Sequence, residues 1–168
     1  MLLVSGMSET VLPPAPDSIP ELVARVIDRH HAYLRRSLPE VARLVAKIAE
    51  VHGPRVPELS RLQATVDDLR SSLEDGMAFE ETRLFPLLMS ERDPSSARDG
   101  LRELEALRES VVSAVDRIRS LTGEYRAPEG ACRTWLRTLV ELEDLENDLA
   151  RHLALEDRLR DLATARPA

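Results

Sequence analysis

Apolar residues recur along this chain at steps of three and four, the spacing that aligns side chains on one face of an α-helix. Four stripes can be traced. The first runs Ile27, His31, Leu34, Leu38, Val41, Val45, Ile48, and the second Leu59, Leu62, Val66, Leu69, Leu73, Gly76, Glu80, Leu84, Leu87. The third is Leu101, Leu104, Arg108, Val111, Val115, Ile118, and the fourth Trp135, Leu139, Leu142, Leu145, Leu149, His152, Glu156, Leu159. They predict helices over residues 19–51, 57–89, 97–121 and 128–163. Pro39 is expected to kink the first without ending it. Ser18 with Glu21 has capping-box spacing, and Pro20 suits a first turn. His52-Gly53-Pro54, Asp93-Pro94-Ser95-Ser96 and the stretch 123–128 read as the connections, with His52 in a loop. Short links between four helices favour an all-α, antiparallel, up-down-up-down four-helix bundle over residues 18–165. Residues 1–17, with Pro13, Pro14 and Pro16, read as a disordered or extended tail.

Composition narrows the class. Aromatics are only 3% and glycines number 6 in 168 residues, which suits long helices. The formal charge of −7 argues against nucleic acid or an anionic membrane as the main partner. No apolar run reaches the roughly 20 residues of a membrane span. The stretch Met1–Met7 is too short, and lacks the basic residues, for a secretory leader, and Met7 is an alternative start. Cys132 is the sole cysteine, so no intrachain disulfide forms and a cytoplasmic location is expected. Cys132 falls in the predicted first turn of the fourth helix, a position that suits a redox role. A small packed residue is the plainer reading.

The stripes are interrupted by His31, Gly76, Glu80, Arg108, His152 and Glu156. Counted from one end of the bundle, all six fall at about the same height, roughly 15–22 Å up at 1.5 Å per residue. His152 and Glu156 face the same way from consecutive turns, and bundle cores build metal sites from such inward imidazoles and carboxylates. Nitrogen and oxygen donors of this kind suit iron, manganese or zinc. Each residue also has a plain alternative. A single His-x-x-x-Glu arises often by chance. His30 is an alternative to His31 as the inward ring. Glu81 is the alternative solvated neighbour of Glu80. Arg108 is long enough to snorkel. Convergence at one height is what favours a site.

At these residues the chain resembles the hemerythrin-like family, and more narrowly the di-iron proteins linked to repair of iron–sulfur centres under nitrosative or oxidative stress. The resemblance rests on His30-His31-Ala32-Tyr33-Leu34 with Leu38-Pro39, and on Val51-His52-Gly53. It rests also on Glu80-Glu81 with Leu84-Phe85-Pro86, on Pro128 with Ala131-Cys132-Arg133-Thr134-Trp135, and on His152 with Glu156. It implies a metal set of His31, Glu80, His152 and Glu156, with the glutamates bridging two irons. It also implies that Gly76 and Arg108 stand where two further histidines would serve the second iron. A second Leu-Phe-Pro does not follow Glu156, and the N-terminal cysteine module that many such proteins carry is expected to be missing. One iron or none is therefore expected rather than two, with zinc or manganese as alternatives and oxygen or nitric oxide as ligands of an open position. Arg108 is expected to replace the second metal electrostatically by hydrogen-bonding both carboxylates. A different class remains open: a metal-free bundle acting as an interaction or regulatory module with a protein partner. No Ser-His-Asp arrangement, phosphate loop or Cys-x-x-Cys points to catalysis.

Overall fold

The computed structural model describes residues 18–90 and 92–165. The proposed tail, 1–17, lies outside the described residues. Four rods run through the molecule. The first is α1 (Ile19–Arg25), a π-helical turn (Val26–His31) and α2 (Ala32–His52). The second is α3 (Glu58–Phe79), another π-helical turn (Glu80–Leu84) and α4 (Phe85–Ser90). The third is α5 (Pro94–Leu121) and the fourth α6 (Arg133–Thr164). The first rod packs on the second and fourth, and the third lies mainly on α3 with a lighter seam against α6. Cross-links show the antiparallel sense. Glu105, Arg108 and Arg119 of α5 pair with Arg160, Asp157 and Glu146 of α6, one rising as the other falls.

Local chemistry explains the ends. The Ser18 hydroxyl accepts from the Glu21 amide, and Glu21 bonds back to the Ser18 amide, closing the expected capping box. Pro39 lies inside α2 and does not end it. Three boundaries differ from the stripe reading. Asp93-Pro94-Ser95-Ser96 is a helix start rather than a linker: Asp93 caps the Ser96 amide at 3.0 Å and Pro94 opens the first turn. His52 is the last residue of α2 rather than part of a loop. The fourth helix begins at Arg133, so Cys132 is its N-cap, with Sγ 3.3 Å from His52 Nε2. Gly123 enters the last connection at φ 58°, the left-handed region that glycine tolerates best.

Two apolar clusters fill the bundle. The larger joins Leu34–Ala49, Leu59–Met77, Val111, Ile118 and Trp135–Leu149. The smaller joins Leu22, Val26, Leu84, Phe85, Leu88, Leu101, Leu104 and Leu159 at the other end. There α5 comes in close: a side chain on Gly100 would meet Leu84 Cδ1 at 2.9 Å. Each fully buried Leu or Phe contributes roughly 1.5–3 kcal/mol. Between the clusters lies the layer of buried His30, His31, Glu80, His152 and Glu156.

Candidate metal centre

Both π-helical turns fall at this layer. At the end of the first, the Ala32 amide reaches back five residues to the Ile27 carbonyl; at the end of the second, Phe85 reaches Glu80 in the same way. The wider turn breaks the regular 3.6-residue register, and such turns cluster at functional sites. The first places both His30 and His31 inside, at 2% and 0% exposure, so the two candidates for the inward ring are both inward. The second presents Glu80 to the core while Glu81 keeps a partly wet position beside it.

Four of the residues singled out in the stripes meet. His31 Nε2 lies 2.7 Å from Glu80 Oε2. His152 Nε2 lies 3.8 Å from the same Glu80 oxygen and 3.0 Å from Glu156 Oε1. One donor atom each from His31, Glu80 and His152 falls within 4.8 Å of the others, a spread that a cation can gather; Glu156 joins through His152. Both His152 Nε2 and Glu156 Oε2 are buried without a hydrogen-bond partner. Buried polar atoms outside any hydrogen bond are costly, and a cation would engage both of these. The donor set fits a cation of the iron, manganese or zinc type.

Surrounding groups hold these rings. Glu81 accepts from His31 Nδ1 at 2.6 Å and is itself gripped by Arg35 at 2.8 Å. These two bonds draw the Glu81 carboxyl below its usual range despite its partial burial. His30 bonds Asp148 Oδ1 through Nδ1 at 3.0 Å and stacks on His152, ring centres 5.6 Å apart and 9° from parallel. The stripes did not single out Asp148. Its signal was the four-residue step Asp148, His152, Glu156 on one helix face.

Burial governs the charges. It pushes the Glu80 carboxyl up to about 7, and with the Glu80 charge beside it holds Glu156 well above the usual carboxylate range. It pushes His152 down to about 3, helped by His31, His30 and Arg108, and lowers His31 against the pull of Glu81. Without a cation the layer is therefore close to neutral. With His31 Nδ1 donating to Glu81, a protonated Glu80 donates to His31 Nε2. That proton sits between the two atoms that would share a metal.

Arg108 departs from expectation. Its Nη1 donates to Asp157 at 2.5 Å, and Nε only approaches Glu156 at 3.8 Å. It does not hydrogen-bond both carboxylates, because Asp157, one residue past Glu156, claims the guanidinium at the rim. Gly76 leaves open space, with nothing within 4 Å of an added Cβ. Gly76, Leu104, Leu107, Arg108, His152 and Glu156 line a cavity of about 30 Å³ on this side.

Comparison with known proteins identifies the family. Residues 22–159 match the family described as hemerythrin HHE cation binding domain. The chain is 32% identical over 139 residues to the iron-sulfur cluster repair protein YtfE of Edwardsiella ictaluri, covering 83% of this chain and 62% of that one. It is 31% identical, with 82% and 62% covered, to the proteins of that name from Yersinia pestis and Yersinia pseudotuberculosis. The chain thus spans about three fifths of the length of these relatives. Among the described residues, no helix is long and apolar enough to cross a membrane. With its four-helix bundle and a family match over most of its length, this chain belongs to the hemerythrin HHE cation-binding family.

Proposed function

We propose that this chain binds one non-haem iron ion through His31, Glu80, His152 and Glu156, and works in the cytoplasm in iron–sulfur cluster repair under nitrosative or oxidative stress. The observation that carries the proposal is the approach of His31, Glu80 and His152 donor atoms within 4.8 Å of one another in a buried layer, with Glu156 3.0 Å from His152. Iron held there would supply redox chemistry and a binding site for oxygen or nitric oxide. The chain's own groups do the rest. Glu81 and Arg35 orient His31. Glu80 would hold the cation with its carboxylate, its proton passing to solvent. Packing of Leu73, Met77, Leu84, Phe85 and Leu149 covers the layer on two sides.

What lines the other side supports a count of one. Gly76 has no donor atom, and Arg108 offers only a permanent cation, so a second metal would face repulsion with no imidazole to hold it. Elemental analysis after anaerobic reconstitution tests this. One iron per chain, lost in His152→Ala, is expected. Two per chain overturns the count, and zinc or manganese in its place overturns the metal.

One observation favours a second reading. Without a cation and below about pH 7, Glu80 keeps its proton and bonds His31, so a metal-free bundle serving as an interaction or regulatory module is physically coherent. A purified chain that takes up no iron, and whose melting temperature ignores added iron, selects that reading.

A further inference from the structure

We propose that the Arg108–Asp157 ion pair is a gate, and that metal ions reach the His152 side of the centre through the seam between α5 and α6 when it opens. The inference rests on the metal-binding reading above.

The donors are closed off almost everywhere. The side chains of His31, Glu80, His152 and Glu156 are at most 4% exposed. Glu81, on the α2 side, is 25% exposed, but the His31 ring at 0% stands between it and the donors. Leu84 and Phe85 cover the layer on the side of the smaller cluster, and Leu73, Met77 and Leu149 on the other. One side differs. The cavity between Gly76 and Glu156 is bordered by half-buried Leu107, Arg108 and Leu153. Its 30 Å³ holds about one water. A hydrated cation does not fit, so passage needs the seam to widen.

What closes the seam is ionic. Arg108 of α5 is bonded to Asp157 of α6, Asp157 also accepts from Arg160 at 2.6 Å, and Arg160 reaches back to Glu105 at 2.6 Å. Two residues from each helix thus alternate in sign across the rim. Arg108 is 16% exposed and Asp157 42%, so water competes for both partners and the clasp is weak. Its innermost member, Arg108 Nε, is 3.8 Å from Glu156, so swinging Arg108 outward uncovers a metal-binding group directly.

Charge alone and gating differ on release in one variant and on uptake in the other. Arg108→Gln removes a cation beside the site. By charge alone, it speeds uptake of a divalent metal and slows release. Asp157→Asn removes an anion and, by charge alone, does the reverse. A broken gate speeds both steps in both variants. The test loads the full chain with ferrous iron anaerobically and follows uptake, then removal by a coloured ferrous chelator, in stopped flow. Arg83→Gln, which breaks a surface pair with Glu103, is the control. Uptake and release each at least threefold faster in both gate variants, at one iron per chain, with the control like wild type, is the expected result. In about 1 M salt, where charges are screened within about 3 Å, the unaltered chain approaches the variants' rates. Opposite shifts in the two variants, or unchanged rates, overturn the gate alone. Failure of the unaltered chain to bind iron overturns the metal reading and the gate together. If Arg108→Gln does not fold, Asp157→Asn and the salt series decide.

Discussion

His31 and Glu80 meet at 2.7 Å from two different π-helical turns. Each turn holds one extra residue, so the registry of both rods changes at the level of the site. Deleting exposed Asp28 should remove the extra residue and return the first rod to regular helix, with Leu22, Val23 and Val26 still in phase with α2 and in the smaller cluster. Denaturant unfolding should therefore show much less than the several kcal/mol that expelling these side chains, at roughly 1.5–3 kcal/mol each, would cost, and a loss of that size would show that the wide turn is what holds them in place.

Glu81 touches His31 at the nitrogen facing away from the centre. Partners of that kind typically contribute 10–100-fold to metal affinity. Glu81→Gln should therefore weaken iron binding by about that factor, at unchanged stoichiometry. Titration against a competing chelator checks it, and an affinity equal to wild type would show that the Glu81 bond does not tune the ring.

For Glu80 the folded pKa, about 7, lies above the 4.5 of the free side chain. A raised carboxyl contributes stability below the unfolded pKa and loses it as pH rises through the folded one. Metal-free Glu80→Gln, which cannot ionise, should match wild type near pH 5 and melt higher at pH 8, while binding no iron. Differential scanning calorimetry in chelator measures the gap. A gap that shrinks as pH rises would reverse the assignment.

Much of this was legible in the chain itself. Apolar stripes, the Ser18–Glu21 box and the breaks between segments give four helices, because periodicity and capping are local. The shared height of His31, Glu80, His152 and Glu156 also follows from counting residues. What was not legible depends on tertiary choice. No pattern announces a π-helical turn, so His30 and His31 read as alternatives when both are inside. Arg108 had two acidic neighbours on α6, and only geometry shows it pairing with Asp157 at the rim rather than bonding both buried carboxylates. Asp93 and Cys132 read as linker and first turn because cap positions depend on backbone angles, −140° and −73° in φ, that composition does not reveal.

Gly76 costs helix stability and fills no space. Since nothing lies within 4 Å of an added Cβ, Gly76→Ala should stabilise the protein by about 0.5–1 kcal/mol in thermal or denaturant melts. The double variant Gly76→His with Arg108→His should then add a second iron by elemental analysis. Retention of one equivalent would mean that more than two missing imidazoles separates this chain from a paired centre.

The polar layer also divides the hydrophobic interior into two unequal halves, since the larger and smaller clusters have no residue in common. Such a boundary is a natural fault line for partial unfolding. The shorter half, built from α1, α4 and the far ends of α5 and α6, has less to hold it and should exchange its amide hydrogens sooner. A cation bound at the boundary would rivet the halves together, so metal loss would be felt first as loosening of one end of the bundle while the other stayed folded.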